Sequence, residues 1–205
     1  MYVELLVEEP SAEEALRVLL PKMLGDEHMF EIHVFRGKRD LLAKLPGRLR
    51  GYARWIKHAH AKVAVLVDED REDCLALKRK LERAAADAGL VTKSSAAPGD
   101  PFLVLTRFAV EELEAWFFGD CDAVRAAYPG VPTTLEQRAP FRDPDAILGG
   151  TWERLEKVLQ QAGYHRGGLA KSLAARDIAA HMDPLRNRSR SFQHFHSGLV
   201  ALVSV

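Results

Sequence analysis

Acidic residues follow three of the four segments that the sequence predicts to be β-strands. They are Glu8 and Glu9 after the first strand, Asp68, Glu69 and Asp70 after the third, and Glu111, Glu112 and Glu114 after the fourth. Because ligands of an open parallel sheet bind beyond the carboxyl ends of its strands, these acids are expected to meet at one edge. Clustered carboxylates repel unless a cation neutralises them, and their oxygens suit a hard ion such as Mg²⁺ or Mn²⁺. The spacing therefore predicts a divalent metal site.

Two carboxylates of the third segment are the best-placed metal ligands. Asp68 and Asp70 point to the same side of an extended chain, so both can bind one ion. Glu8 is predicted to be a further ligand, and Glu112 and Glu114 are predicted to complete a second metal site. The alternative for any single segment is that its acids complement the dipole of the helix that follows.

Alternating strands and helices are needed to position these acids. Apolar runs predict strands at 3–7, 30–35, 63–67 and 102–109, and helical periodicity predicts helices at 11–25, 41–56, 71–88, 110–118, 151–163, 168–182 and 192–205. Ser11 and Glu14 form a predicted capping box, and Pro46-Gly47 interrupts the second periodic segment, which is therefore one helix or two. We expect an α/β fold in which about four parallel strands are flanked by helices, with a helical C-terminal extension. Residues 1–120 would form the α/β domain, and 121–205 a loop and helical extension packed on it as one structural unit.

Charge is strongly segregated although the chain is neutral overall. Residues 36–62 hold nine Lys and Arg against Asp40, residues 68–73 hold five acids against Arg71, and residues 164–191 hold six Lys and Arg against two acids. Basic blocks near an acidic cluster are typical of a metal-dependent enzyme that acts on a polyanion. The residues predicted to contact the phosphate backbone of nucleic acid are Lys38, Arg39, Arg48, Arg50, Arg54 and Arg142. The alternative is that the basic blocks are solvated helix faces.

Other classes of protein lack support in the sequence. No apolar run approaches the length of a membrane span, the start has no basic leader, and Cys74 and Cys121 cannot build a disulfide framework, so we expect a cytoplasmic protein. There is no GxxxxGK[ST], HExxH or GxSxG motif. His194 and His196 flank Phe195 on a predicted helix, which favours packing or exposure over metal binding.

With the acids placed, the chain resembles a known arrangement. Glu8 after the first strand and Asp68-x-Asp70 after a later one resemble the Toprim fold of topoisomerases, primases and OLD-type nucleases, and nearly the whole chain resembles the Toprim-related family DUF4276. Glu9 stands where the Toprim pattern has glycine. The segments that carry the resemblance are Val7-Glu8-Glu9-Pro10-Ser11, Gly37-Lys38-Arg39-Asp40-Leu41, Val67-Asp68-Glu69-Asp70-Arg71-Glu72-Asp73-Cys74, Glu112-Leu113-Glu114-Ala115-Trp116, Phe141-Arg142-Asp143-Pro144-Asp145, Lys171 and Arg188-Ser189-Arg190-Ser191-Phe192.

The placement of the acids predicts an Mg²⁺- or Mn²⁺-dependent nuclease, although the DUF4276 family itself has no settled activity. The Toprim resemblance implies that Glu8 is a further metal ligand or the general base, and Glu9 and Asp73 are predicted to support the ligands. Lys171, Arg188 and Arg142 are candidates to offset transition-state charge. Relatives are often encoded beside AAA or ABC-type ATPases in settings like phage defence, which implies an ATPase partner.

Two other functions stay open. A Toprim-like domain without catalysis could bind metal or nucleotide and regulate an ATPase. A small-molecule phosphohydrolase is disfavoured, because the segment after the third strand, Val67-Asp68-Glu69-Asp70, lacks the threonine that an aspartyl-phosphate enzyme would need.

Overall fold

A four-stranded parallel sheet forms the centre of the molecule. The computed structural model describes residues 1–70 and 72–204; residues 71 and 205, which the sequence assigns to two helix ends, lie outside the described residues. The strands are β1 (Tyr2–Val7), β2 (Met29–Val34), β3 (Ala61–Asp68) and β4 (Val104–Ala109), in the order β2-β1-β3-β4. The central strands β1 and β3 are almost wholly buried, as their continuous aliphatic runs require. The predicted parallel α/β sheet is therefore confirmed.

Eight α-helices surround the sheet in the described chain. They are α1 (Pro10–Leu24), α2 (Lys38–Ala53), α3 (Cys74–Asp87), α4 (Glu114–Gly119), α5 (Cys121–Ala127), α6 (Thr151–Gln161), α7 (Lys171–His181) and α8 (Arg190–Val203). Three 3-10 turns, at Leu135–Gln137, Ala139–Phe141 and Pro144–Ala146, order the proline-rich segment before α6. None of the helices in the described residues has the length and apolarity needed to cross a bilayer.

The helices form a layer on each face of the sheet. Helices α2 and α3 share one apolar core with it, and α1, α4, α5, α6, α7 and α8 share the other. Helix α7 packs against α1 and α5, and α8 packs on β4. Gly198 permits this last contact, because a Cβ atom there would lie 2.8 Å from Leu105 Cδ1. The division of the chain near residue 120 stays a prediction.

Some helix ends differ from those that local sequence signals predict. The predicted capping box is wrong, because Pro10 begins α1 after Glu9 and Ser11 Oγ donates to Glu9 Oε1 at 2.5 Å. Proline suits the first turn of a helix, where its missing N–H has no intrahelical role. Helix α2 is one helix that runs through Pro46, with Leu45 and Leu49 buried on either side. Helix α4 begins only at Glu114, and α5, with Asp120 as N-cap, was not predicted.

Candidate functional site

The carboxyl ends of β1 and β3 are joined directly by a side chain. Glu8, the residue after β1, accepts a hydrogen bond at Oε1 from the Asp68 N–H, at 2.5 Å, where β3 ends. Since the two strands are parallel neighbours, their ends lie at the same edge of the sheet. The predicted meeting of these two segments thus occurs, and the Glu8 carboxyl is fixed in orientation by it.

Asp68 lies in the field of four other carboxylates. Its pKa is raised well above the ordinary value, first by burial and then by Glu8, Glu114, Glu9 and Asp70. Interactions of this kind require charges within several ångströms of one another. Residues from after β1, from the end of β3 and from the start of α4 therefore lie close enough to form one acidic cluster; their roles as metal ligands stay predictions.

Glu8 and Glu114 also hold protons unusually tightly. Burial raises the pKa of Glu8 to about 7, and the Asp68 N–H and Lys38 oppose this rise. Burial likewise raises the pKa of Glu114 to about 7, with Lys171 opposing it and Glu9 adding to it. Among the described residues, none offers a hydrogen bond to Glu114 Oε2. Both groups would ionise more readily beside an additional cation.

Two lysines, each paired with different acids, partly neutralise the cluster. Lys38 Nζ lies 2.8 Å from Asp70 Oδ2 and 3.1 Å from Glu72 Oε1. It also donates to the carbonyl oxygen of Glu69 at 3.1 Å. Burial lowers the pKa of Lys38, but its carboxylate partners outweigh this and raise it overall. The sequence analysis predicts that Lys38 contacts nucleic acid. Its position just after β2, a third strand that ends at the same edge, could instead have indicated that it pairs with the acids.

Lys171, at the start of α7, is the second of these lysines. Its Nζ lies 3.9 Å from both Glu9 Oε1 and Glu114 Oε1, and 5.1 Å from the centre of the Trp152 ring. Burial lowers its pKa, and the nearby acids, led by Glu114, raise it overall. The structure therefore brings Lys171, from the distant C-terminal half of the chain, into the acidic cluster.

An open cleft of about 340 Å³ lies beside the cluster. It is lined by Asp70, Glu111, Glu112, Gly149, Gly150 and Glu153. Asp70 and Glu111 have φ of 51° and 60°, and the Asp70 N–H donates to the Glu111 carbonyl at 2.9 Å. Left-handed backbone is uncommon for residues other than glycine and tends to occur at functional sites. No pattern in the sequence indicates that Gly149, Gly150 and Glu153 lie here.

Two of the predicted acids cap helices. Glu112 Oε2 accepts hydrogen bonds at 2.9 Å from Thr151 N, Thr151 Oγ1 and Trp152 N at the start of α6. Asp73 is the N-cap of α3, where its Oδ1 accepts from Leu75 N and Ala76 N. A metal role for Glu112 and a supporting role for Asp73 stay predictions.

The two arginines predicted to offset charge lie elsewhere. The Arg188 N–H donates to the Gly119 carbonyl at 2.9 Å, and its Nη1 donates to the Arg142 carbonyl at 3.2 Å. Gly119 is the last residue of α4, whereas Glu114 is the first. The structure therefore does not bring Arg188 and Arg142 together with the carboxylates, and their roles stay predictions.

The remaining predicted nucleic-acid contacts lie on or next to α2. Arg39, Arg50 and Arg54 are exposed, and their spacings of eleven and four residues place them on one side of the helix. Arg48 faces another way, with its guanidinium 5.9 Å from the centre of the Phe35 ring. The basic block thus presents a stripe of three arginines, and Lys38 lies at the end nearest the acidic cluster.

The donor set suits a hard divalent cation in its chemistry. Every candidate ligand offers a carboxylate oxygen, and the acids Glu8, Glu9, Asp68, Asp70 and Glu114 outnumber Lys38 and Lys171. No three His, Cys, Asp or Glu side chains of the described residues already enclose an ion-sized space. A cation bound here would therefore require side-chain movement, such as release of Asp70 from Lys38.

Comparison with known proteins assigns the family. The family model DUF4276, described as a domain of unknown function, matches residues 7–200. The chain belongs to the DUF4276 family. No curated protein and no solved structure gives a significant match to this chain.

Two segments that carry the DUF4276 resemblance bind each other at the start of α8. Asp145 Oδ1 accepts from Ser189 Oγ at 2.7 Å, and Asp145 Oδ2 accepts from Ser191 N at 2.9 Å. Ser191 Oγ in turn accepts from Trp116 Nε1 at 2.9 Å. These residues join the segment before α6, the start of α8 and the buried helix α4. The segments around Asp145 and Ser191, which carry part of the resemblance to DUF4276, therefore help to hold the fold together.

Proposed function

We propose that this DUF4276 protein is a cytoplasmic, Toprim-like phosphodiesterase that cleaves nucleic acid with the aid of Mg²⁺ or Mn²⁺. The observation that supports this most is the convergence of Glu8, Asp68 and Glu114 from three separate segments at one sheet edge. Carboxylates gathered in a partly buried cluster are costly unless a cation joins them. The stripe formed by Arg39, Arg50 and Arg54 supports a polyanionic substrate.

The residues of the cluster would divide the chemistry among them. Asp68 and Asp70 would hold the ion, with Glu8 as a further ligand or as the acceptor of a proton from water. When bound, such an ion polarises a phosphoryl oxygen and lowers the pKa of an attached water. Lys171, in contact with Glu9 and Glu114, would offset negative charge that develops on the phosphate.

Cleavage assays on purified protein test the proposal. Supercoiled plasmid and single-stranded DNA and RNA would be incubated with Mg²⁺ or Mn²⁺, in the presence and absence of a candidate AAA or ABC-type ATPase. We expect cleavage that Asp68→Ala abolishes and EDTA prevents. Asp100→Ala, which changes an exposed loop carboxylate, is the matched control and should cleave normally. Cleavage that survives the double change Asp68→Ala, Asp70→Ala would exclude this site.

The regulatory alternative has one observation in its favour. Lys38 and Lys171 already pair with acids of the cluster, which a binding module without hydrolysis could retain in its resting state. Such a module would bind Mn²⁺ in an Asp68-dependent manner and alter the ATP hydrolysis rate of the partner, yet cleave nothing. Titration calorimetry with Mn²⁺ alongside the cleavage assay separates the two functions.

A further inference from the structure

A second cleft adjoins the segment that follows β4, on the other side of that segment from the acidic cleft. It has a volume of about 470 Å³ and opens between α3, the outer edge of β4 and the start of α8. Val110 lines this cleft, whereas the next residue, Glu111, lines the acidic one. Its size lies within the range of pockets that bind small molecules.

A fixed guanidinium group lies at the wall of this cleft. Arg107 Nε donates to the His194 carbonyl at 3.0 Å, and Arg107 Nη1 donates to the Thr106 carbonyl at 2.9 Å. These bonds use two of the five N–H donors of the side chain. In the part of the chain that the structure describes, no carboxylate forms an ion pair with it. Burial lowers its pKa; Glu82 opposes this without direct contact, and Glu82 is itself held by Thr106 and Lys78. A partly buried cation without an ionic partner is costly, and a bound anion would offset that cost.

The balance of charge around the cleft also favours an anion. Arg190 and Lys78 line it together with Arg107, against a single carboxylate, Asp145. Asp145 already accepts hydrogen bonds from Ser189 and Ser191 at the start of α8. Its carboxylate therefore takes the place that a ligand anion would have at this helix end. Lys78 is paired with Glu82 at 2.9 Å. Arg107 and the exposed Arg190 are therefore the cations best placed to bind a ligand.

Phe108 and Val110 add an aromatic ring and an apolar surface to a lining that also holds the polar side chains of Thr106, Ser191 and His194. Phe108 is only partly buried. The outer edge of β4 also contributes peptide groups: Val104 accepts from Lys93 N, and Thr106 accepts from Lys78 Nζ. Because peptide groups of a strand alternate in direction, that of Phe108 also points outward, towards the cleft. An aromatic face, a peptide edge and two guanidinium groups together suit a planar heterocycle that carries a phosphate.

We propose that this cleft binds a nucleotide unit, with the base against Phe108 and Val110 and the phosphate at Arg107 and Arg190. The unit is either a free nucleoside phosphate or one nucleotide of a strand that continues from the acidic cleft across residues 110–111. The site is separate from the acidic cluster, so the proposal does not depend on nuclease activity.

A peptide strand added to the edge of β4 fits less well. The Thr106 carbonyl already accepts from both Lys78 and Arg107, and the segment at Thr92 covers the edge at Val104. Along the described edge of β4, few peptide groups besides that of Phe108 are left to pair with a new strand. Strand addition needs a longer row of such groups.

Calorimetric titration with AMP, adenosine, inorganic phosphate and a single-stranded oligonucleotide tests the site. We expect AMP to bind more tightly than adenosine or phosphate. Arg190→Glu should weaken the binding of AMP at least tenfold, and Phe108→Leu, which keeps the apolar volume but removes the ring, about tenfold. Arg83→Glu reverses an exposed charge on α3 outside the cleft and should bind AMP like the wild type.

The oligonucleotide identifies the source of the nucleotide. If its affinity falls with Arg190→Glu and Phe108→Leu as that of AMP does, the ligand is a strand; if only AMP is affected, it is a free nucleotide. Both results support the site, provided that the variants keep the wild-type melting temperature. Unchanged binding of AMP and oligonucleotide in both variants would overturn the proposal, as would the absence of AMP binding together with unaffected oligonucleotide binding. Phosphate that binds as tightly as AMP would also overturn it, by removing the role of the base.

Discussion

Glu114 carries an electrostatic cost that most surface acids do not. It is 1% exposed, and its nearest cation, Lys171, is 3.9 Å away. Burial raises its pKa to about 7, so at neutral pH the folded protein binds a proton there for about half of the time. A group whose pKa is higher in the folded state than in the unfolded chain stabilises the fold when protonated and destabilises it when ionised.

The stability of the metal-free protein should consequently fall as pH rises. The ordinary carboxyl pKa is 4.5, so the stabilising effect of the Glu114 proton is fully present below that pH and is lost as pH rises through about 7. In EDTA at pH 8, Glu114→Gln should therefore be more stable than the wild type by up to about 3 kcal/mol. At pH 5 the difference should be small. Urea denaturation at the two pH values measures this.

The exposed Glu153→Gln is the control for that measurement, because it alters a carboxylate of the open cleft without burial. A gain in stability by Glu114→Gln that is equal at pH 5 and pH 8 would contradict the assignment of the effect to ionisation.

Single residues also show where sequence patterns stop being informative. Nine lysines and arginines lie in residues 36–62, and only its position just after the second predicted strand distinguishes Lys38 from the rest. It differs because α2 begins where β2 ends, which places its ammonium 2.8 Å from Asp70. Glu112 is the converse: it follows a strand as the pattern requires, yet one of its oxygens accepts three hydrogen bonds from α6, a helix 39 residues further along the chain. Such partners are set by tertiary packing.

At the scale of elements, apolar patterns predicted most of the fold. The continuous run at 63–67 gave β3, because a strand buried on both faces can contain little else. Helix ends were predicted less well, since Ser11 and Glu14 match a capping box that Pro10 makes unnecessary. Pro46 lies inside α2 because the burial of Leu41, Leu45, Leu49 and Tyr52 compensates for one missing backbone hydrogen bond.

Helix α3 is fastened to β4 by a polar network around Glu82. Its carboxylate accepts from Thr106 Oγ1 at 2.5 Å and from Thr92 Oγ1, and it pairs with Lys78 at 2.9 Å. Burial raises the pKa of Glu82, but these hydrogen bonds and Lys78 outweigh it and lower the pKa overall. A carboxyl with a lowered pKa stabilises the fold above its ordinary pKa of 4.5, and this is lost as pH falls below that value.

The change Glu82→Gln should therefore act in the opposite sense to Glu114→Gln. We expect a loss of about 1–3 kcal/mol at pH 7, because a charge-assisted network is replaced by weaker neutral bonds. The loss should shrink towards pH 3, where the wild-type carboxyl is itself becoming protonated. Thermal denaturation across this range measures the loss, with Glu13→Gln, which removes an exposed ion pair with Arg17 on α1, as the control. A loss that is larger in acid would refute the idea.

At the scale of the whole molecule, the segregation of charge along the sequence becomes a segregation in space. The acids gather at the carboxyl edge of the sheet, and Lys38 forms ion pairs with them at the first residue of α2. From there the exposed side chains of Arg39, Arg50 and Arg54 extend along one side of the helix. A strand whose phosphates followed these arginines would thus be led towards the carboxylates.

This arrangement predicts how binding should respond to salt. Each phosphate that the protein binds releases a counterion, so the logarithm of affinity falls linearly with the logarithm of salt concentration. Reversing all three charges, with Arg39→Glu, Arg50→Glu and Arg54→Glu, should weaken oligonucleotide binding and lower the slope by about one unit for each phosphate that is no longer bound. Fluorescence anisotropy at several salt concentrations gives the slope directly.

The control variant is Arg83→Glu with Arg176→Glu, which changes exposed arginines on α3 and α7 and should leave the slope near the wild-type value. If the triple variant kept the wild-type slope, nucleic acid would not be bound along α2, and the acidic edge would have to receive its substrate from another direction.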